Sequence, residues 1–174
     1  MLLYNSLILT LINYCNLIWA SNYKTSLNKI YLLQKRALKL CSGTKTKSKS
    51  YFLCKASIYS KSNKNIFKET NKQSVYAINK TQIAKFIYQA INKLAPDCFQ
   101  NMFSTTSMIH SHNTRSEQRH DLFHKHAKSN CRKFATSLKG PEIWNNIPVT
   151  IRQLNTVSKF TKSVKRHYMQ LIDN

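Results

Sequence analysis

Glycine is nearly absent from this sequence of 174 residues, which contains only Gly43 and Gly140. Loops that surround the phosphates of a nucleotide need several glycines close together, because their backbone must approach the ligand closely. The sequence therefore excludes a dinucleotide-binding fingerprint and the phosphate-binding loop of an NTPase.

Acidic residues are also scarce. The sequence has six of them: Glu69, Asp97, Glu117, Asp121, Glu142 and Asp173. Two-metal phosphoryl transfer requires carboxylates that cluster around the ions, and this set offers no such cluster. Glu117 and Asp121 have the i,i+4 spacing of a helix face, but Arg115 and Arg119 lie beside them, which favours charge pairing. Because no GxSxG nucleophile motif is present either, we expect no catalytic activity from this chain.

Paired cysteines and metal-binding motifs are missing as well. The five cysteines are scattered without a CxxC pair, which is typical of free thiols in a reducing compartment. Five of the six histidines lie between His110 and His126, yet neither an HExxH motif nor a cysteine pair accompanies them. We therefore predict a solvated polar loop that contacts phosphate, rather than a zinc site, and no bound metal or cofactor.

Positive charge is what the sequence has in excess. The 28 lysines and arginines outweigh the six acids and give a net charge of +22, with an isoelectric point near 10.0. A polyanion is the natural partner of such a chain, most often a nucleic acid and less often an anionic membrane. An alternative is that the abundance of Lys and Asn reflects an AT-rich genome and not binding.

The basic residues occur in clusters interleaved with aromatic residues. Cations of this kind neutralise phosphates, and nearby aromatic rings can stack on unpaired bases. For Phe86, Trp144 and Phe160 the simpler prediction is packing in the core, and for the cations the alternative is a solvated face. The candidate nucleic-acid-binding residues are Lys35, Arg36, Arg115, Arg119, Arg132, Lys133, Lys162, Lys165 and Arg166.

The first 23 residues carry no charged side chain. Their apolar content is nearly long enough for a membrane span, but asparagines and other polar residues are spread through it. A signal peptide would begin with a basic region, which is absent. We predict one buried helix from Leu2 to Trp19 in an intracellular protein of the nucleus or cytoplasm. A membrane segment at residues 1–23 remains the alternative.

Apolar residues at intervals of three and four predict three further helices. The first runs from Asn22 to Leu40, the second from Val75 to Leu94 and the third from Val157 to Ile172. In the first, the core-facing stripe is predicted to be Leu27, Ile30, Leu33, Ala37 and Leu40.

The segments between these helices are predicted to be less regular. Residues 42–65 are rich in Ser, Thr and Lys and indicate a loop or insertion. Residues 104–128 have little apolar content and indicate irregular surface structure. Phe134, Thr136 and Leu138 alternate with smaller residues before Gly140-Pro141, which suggests a turn and a short β-hairpin near residues 121–140. The fold class is therefore mainly α, in one domain of ordinary size.

Motif-like segments follow one another along the chain. They are Leu3–Ile8 with Leu11–Trp19, then Leu32–Ala37, Gln82–Tyr88, His112–Arg115 and Gly140–Pro148. In this order they resemble "LYxSLIxPxLxYCxxIW", "LQKRAIR", "QxxxFMYK", "YNTR" and "GPKLWNSLP" of the reverse transcriptases of jockey-like non-LTR retrotransposons. In that family the first segment follows the catalytic palm. The order and approximate spacing agree from Leu3 to about Leu171.

The resemblance implies a helical thumb-like region at residues 1–103 and a basic C-terminal extension at residues 104–174 that ends in an amphipathic helix. In an intact enzyme these would hold the RNA or DNA template-primer duplex. Lys35, Arg36, Arg115, Trp144 and Asn145 occupy motif positions.

The sequence also departs from the family pattern. The family's "HTxPLF" element and a proline near Thr10 are missing, as are the "YxDD" turn and the palm. Polymerase activity, Mg²⁺ and nucleotide substrates are therefore expected only of the intact parent enzyme. We expect a fragment that binds nucleic acid without turnover and has no small-molecule substrate. The alternatives are a small membrane-associated basic protein and a non-functional pseudogene product.

Overall fold

The computed structural model describes residues 1–42, 66–109, 114–130 and 132–171, and within these ranges the chain forms helices and no strand. This confirms the prediction of a mainly α fold. The predicted insertion at 42–65 lies outside the described residues except for Ser42, as do His110, His112 and Cys131.

The helices follow one another in a simple order. A π-helix, Tyr4–Leu9, continues into α1, Thr10–Asn13, and then come α2, Asn16–Trp19, α3, Lys24–Ser42, α4, Ile66–Glu69, α5, Val75–Ile91, and α6, Asp97–Gln100. A 3-10 turn at Thr106–Met108 precedes α7, Arg115–Gln118, and another at Arg132–Phe134 precedes α8, Thr136–Asn145. The last two helices are α9, Val149–Arg152, and α10, Val157–Gln170.

Helix α5 lies at the centre of the molecule. The Ser74 hydroxyl caps its first turn by accepting a hydrogen bond from the backbone of Ala77. Beyond its last residue, Lys93 has a φ of 56° and the Leu94 N–H donates to the Gln89 carbonyl at 2.8 Å, a common way for a helix to end. The helix predicted from Val75 to Leu94 is confirmed, but it ends three residues earlier, at Ile91. Residues of α5 contribute to two separate clusters of the hydrophobic core.

The main core cluster forms where α8 and α10 pack against α5. The rings of Tyr88 and Phe160 stack with their centroids 4.4 Å apart, and Trp144 lies 5.8 Å from Phe160. Phe160 and Val164 are fully buried on the predicted apolar face of α10. The predictions of core packing for Trp144 and Phe160 are confirmed. Residues of both predicted regions, 1–103 and 104–174, contribute to this cluster.

Helix α8 occupies the place where the alternating pattern suggested a strand and a turn. Gly140 lies inside this helix, where a Cβ atom would come within 3.0 Å of both Ile87 Cδ1 and Phe103 Cε1. The glycine therefore serves close packing of α8 on α5 and not a turn. Alternation over five residues was too short a pattern to distinguish a strand. The suggested hairpin is absent from the described part of residues 121–140.

The N-terminal segment is not the single buried helix that was predicted. Cys15 has a left-handed backbone with a φ of 47°, so the helical path breaks between α1 and α2. The indole N–H of Trp19 donates to the Tyr14 carbonyl at 2.7 Å and the Asn16 amide donates to the Ile12 carbonyl at 2.9 Å, which satisfies backbone groups at the break. One face is buried and the other is exposed.

Helix α3 buries only part of the predicted stripe: Leu27 is buried, and Ile30 and Ala37 pack against the core. Leu27 and Leu38 are buried, but Leu33 is 60% exposed and Leu40 is 81% exposed. The buried face instead includes a polar residue, Gln34, which is 1% exposed. Apolar periodicity alone could not find this face because a glutamine is part of it.

The side-chain amide of Gln34 makes hydrogen bonds to three other parts of the chain. Its nitrogen donates to the Tyr4 hydroxyl at 2.8 Å and to the Gln73 carbonyl at 2.9 Å. Its oxygen accepts from the backbone N–H of Val75 at 2.8 Å. That N–H belongs to the first turn of α5 and has no partner within the helix. Gln34 therefore joins the N-terminal segment, α3 and the start of α5.

Candidate nucleic-acid interface

Helix α10 presents basic side chains on the faces that do not pack on α5. Its first turn is capped by the Thr156 hydroxyl, which accepts from the backbone of Lys159. Lys162, Lys165 and Arg166 are exposed, while Phe160, Val164 and Tyr168 are buried. The helical period therefore separates the cations from the core and directs them to solvent together.

An open cleft of about 550 Å³ runs along this basic face. Lys68, at the end of α4, lies across the cleft from α10 and adds a fourth cation to it. None of the described lining residues is acidic. The lining is Lys68, Asn71, Lys162, Lys165, Arg166, Met169 and Gln170. We call this the α4/α10 cleft; an arrangement of this kind suits a chain of phosphates.

Lys35 lies on α3 and contacts the Tyr31 ring, which in turn packs against Phe67 of α4. Its ammonium group is 4.9 Å from the centre of the Tyr31 ring, a cation–π geometry. Phe67 stacks on that ring at 5.5 Å and directly precedes Lys68 in sequence. Partial burial, with a smaller contribution from Lys39, lowers the pKa of Lys35. The neighbouring Arg36 is exposed.

Arg115 and Arg119 belong to another part of the surface. Arg115 is exposed on α7, whose first turn is capped by the Thr114 hydroxyl. Arg119 forms an ion pair with Asp121 at 3.2 Å. Neither arginine lines the α4/α10 cleft. The charge pairing expected for this segment therefore occurs, although between Arg119 and Asp121 rather than with Glu117.

Arg132 and Lys133 form a third basic site. Both are exposed on the 3-10 turn before α8, and the Lys133 ammonium donates to the Asn130 side chain at 3.1 Å. Phe134, the next residue, packs edge-on against Tyr23 with ring centroids 4.6 Å apart. The nine candidate cations are therefore distributed over several surfaces, and only Lys162, Lys165 and Arg166 line the α4/α10 cleft.

Two motif residues of α8 have structural roles. Asn145 accepts from the backbone N–H of Leu122 at 2.9 Å and donates to the carbonyl of the same residue at 3.0 Å. These two hydrogen bonds satisfy the backbone N–H and carbonyl of Leu122, as a neighbouring β-strand would, and they hold Leu122 in the core. Trp144 is buried beside it. The Trp144 ring is therefore shielded from a nucleic acid, and both polar atoms of the Asn145 amide already have partners within the protein.

Sequence reasoning missed Lys68 and Arg152. The side chain of Arg152 is almost fully buried, and its guanidinium donates to Asp121 at 2.9 Å and to the Ile147 carbonyl at 2.8 Å. Lys68 joins the cleft through a contact between segments almost a hundred residues apart in sequence. No local pattern encodes such a contact. For Arg152 the sequence offered one signal. Because it has only six acidic residues, few carboxylates could be the partner of a buried arginine.

Histidines and cysteines do not converge in the part of the chain that the structure describes. His120, His124 and His126 are exposed, and no group of three or more His, Cys, Asp or Glu residues there is placed to hold a metal ion. Cys15, Cys41 and Cys98 are free thiols.

Across the described ranges, we find no helix with the length and apolarity needed to cross a bilayer. Comparison with known proteins gives no relative for the chain: no protein-family model, no curated protein and no solved structure matches it.

Proposed function

We propose that this chain binds nucleic acid through the α4/α10 cleft, and that it does so without catalytic turnover. The observation that carries the proposal is the meeting of Lys68 with Lys162, Lys165 and Arg166 along one open cleft whose described lining has no carboxylate. Four cations spaced along a cleft match successive backbone phosphates better than they match a single small anion.

The overall charge supports the same proposal. A net charge of +22 attracts any polyanion over long range and speeds its association. The cleft then provides the contacts at short range. Contacts to phosphates fix the position of a duplex without reading its sequence, so we propose binding that depends little on base sequence.

The resemblance to the post-palm region of non-LTR reverse transcriptases gives the proposal a context. In that context the chain holds a template-primer duplex of RNA and DNA while the parent enzyme's palm performs the chemistry. Lys35 and Arg36, on the segment that resembles "LQKRAIR", would extend the contact from α10 towards α3.

The test is a binding titration with a fluorescent RNA–DNA hybrid at several salt concentrations. The variant K162Q/K165Q/R166Q removes three cleft cations, and K29Q/K93Q/K125Q removes three exposed lysines that do not line the cleft. Each lost phosphate contact lowers the slope of log affinity against log salt by about 1. We expect the cleft variant to lose a slope of about 3 and at least about tenfold in affinity at low salt.

The control variant has the same net charge as the cleft variant but keeps all the cations of the cleft. It should therefore lose much less affinity than the cleft variant. Equal losses in the two variants would mean that charge alone, and not the cleft, is responsible. Binding that does not change between low and high salt would contradict the proposal altogether.

A second candidate function is attachment to an anionic membrane surface. The exposed side of the N-terminal segment carries Leu3, Leu7, Leu11, Tyr14 and Ile18, which are 61–79% exposed. Leu3, Leu7 and Leu11 are spaced by about one helical turn. An uncharged apolar face on a cationic protein is the combination that lies flat in a lipid interface.

Sedimentation with vesicles separates the two candidates. If the apolar face is the membrane contact, L7S/L11S should release the protein from vesicles of mixed anionic and neutral lipid and leave binding to the hybrid unchanged. Sedimentation that is the same for this variant and the parent chain would exclude the face as the anchor.

A further inference from the structure

A second cleft lies between α5, α8 and α10, on a different face of α10 from the α4/α10 cleft. It encloses about 370 Å³. Its walls combine two lysines from different helices and neutral hydrogen-bonding side chains with an apolar surface to which Ile143 and Leu171 contribute. The polar lining is Lys80, Lys139, Glu142, Asn146, His167 and Tyr168. We call it the α5/α8/α10 cleft.

His167 lines this cleft and carries an unsatisfied polar atom. Its Nε2 atom is buried and has no hydrogen-bond partner in the part of the chain that the structure describes. A buried polar atom without a partner costs free energy, and a bound oxygen would relieve that cost. Burial also lowers the pKa of His167, which keeps the ring neutral near pH 7. A neutral imidazole can carry its proton on Nε2 and donate it.

The two lysines act on one site. Burial is the largest cause of the lowered pKa of Lys139; Glu142 opposes the shift, and Lys80 adds to it. The charges of the two lysines and Glu142 therefore interact. Lys80 also lies over the Tyr168 ring, 5.6 Å from its centre. Two cations against one carboxylate leave a net positive charge at the cleft.

We propose that the α5/α8/α10 cleft binds a phosphate group, held by the Lys80 and Lys139 ammonium groups and by the N–H of His167. A nucleobase fits the same cleft less well, because the Tyr168 ring is only 5% exposed and offers no surface for stacking. Free phosphate would bind here whether or not the chain binds nucleic acid, so this proposal stands apart from the proposed function.

The test follows the ring signals of His167 by NMR in the full chain, with labelled histidine and H167Q for assignment. Inorganic phosphate is added at constant ionic strength, with chloride replacing it in the control. We expect a saturable shift of the His167 signals. Loss of one charged hydrogen bond, in K80Q or K139Q, should weaken phosphate binding by about tenfold or more.

Two further variants make the test specific. Glu142→Gln removes the carboxylate of the cleft and should tighten phosphate binding. Lys162→Gln removes a cation from the α4/α10 cleft and should leave the affinity measured at His167 unchanged. Lys80 is exposed, so K80Q keeps the test valid if the half-buried Lys139 cannot be replaced without unfolding. Signals that do not respond to phosphate, or equal weakening by K80Q and K162Q, would overturn the proposal.

The source of the phosphate is tested with two short oligonucleotides that differ only in a 5′-phosphate. If the phosphorylated strand alone shifts the His167 signals, the cleft holds a strand terminus. If inorganic phosphate shifts them and neither strand does, the ligand is a free phosphate. If none of the three does, the cleft is not a phosphate site.

Discussion

Asp121 is held from two sides by arginines, and the two pairs differ in burial. The side chain of Arg152 is 7% exposed, whereas that of Arg119 is 59% exposed. An exposed ion pair adds little stability because water and salt screen it. A buried one is costly to break, because the remaining charge has lost its partner. Asp121 therefore anchors the segment before α8 mainly through Arg152.

Replacing Asp121 by Asn should destabilise the protein by about 3 kcal/mol, since the buried guanidinium of Arg152 would lose its counter-ion. Unfolding by urea, followed by circular dichroism, measures the change. Arg119→Gln removes the exposed partner of the same carboxylate and should cost less than about 1 kcal/mol. Similar costs for the two variants would show that burial does not distinguish the pairs.

His167 gives a pH dependence of known sign. Burial lowers its pKa below the ordinary value of 6.5, so the unfolded chain binds a proton more readily than the folded chain does. Its contribution to stability is complete above about pH 6.5 and is lost as the pH falls towards the lowered value. In phosphate-free buffer, the urea midpoint should fall less between about pH 7 and pH 5 in H167Q than in the parent chain. An identical fall in both would contradict the burial of the ring.

Among the helices, those with an uninterrupted apolar face were predicted well. The spacing in residues 75–94 and 157–172 located α5 and α10 to within a few residues, and it identified Phe160, Val164 and Tyr168 as core. Helix α3 was placed correctly along the sequence, but its predicted face was only partly right, because Gln34 is buried by hydrogen bonds that span 30 to 41 residues.

Helix α8 was not predicted because its sequence carries Gly140-Pro141, a pair that normally ends a helix. The reason for the glycine lies in α5 and in Phe103, which no local pattern reveals. For the same reason, the sequence identified the cations of α10 but not the cleft that they share with Lys68. Which cations lie together depends on packing between helices and not on their spacing.

The contact between α8 and α5 gives a prediction at this scale. Gly140→Ala would gain up to about 1 kcal/mol in helix propensity but would press a methyl group against Ile87 and Phe103. Crowding of this kind costs about 1–3 kcal/mol in a packed core. We therefore expect a net loss of about 1 kcal/mol in the free energy of unfolding. In an I87V background the Cδ1 atom is gone, so Gly140→Ala should cost less there than in the parent chain. Equal costs in the two backgrounds would mean that the two substitutions act independently.

For the molecule as a whole, the excess of positive charge acts on folding and on binding in opposite ways. Like charges repel more strongly in the compact state than in the extended chain, so a net charge of +22 destabilises the fold. Added salt screens that repulsion and also weakens attraction to a polyanion. Stability should therefore rise with salt over the same range in which affinity for nucleic acid falls.

A thermal melt measures the first half of this prediction. Between roughly 20 and 300 mM NaCl, we expect the melting temperature to rise by about 2–5 °C. A short nucleic-acid duplex added at low salt should raise it as well, because a ligand of the folded state stabilises that state. A melting temperature that falls as salt is added would mean that favourable ion pairs outweigh the repulsion.

The buried amide of Gln34 has a consequence for the geometry of the surface next to it. Each residue of an α-helix advances by about 100° around the axis. If α3 slipped by one residue, Leu33 or Lys35 would face Tyr4 and Val75, and neither could replace the three hydrogen bonds. The helix therefore has one permitted rotation, much as a single polar residue sets the register of a coiled coil. The direction in which Lys35 and Arg36 leave the surface is fixed by an uncharged neighbour that is itself buried.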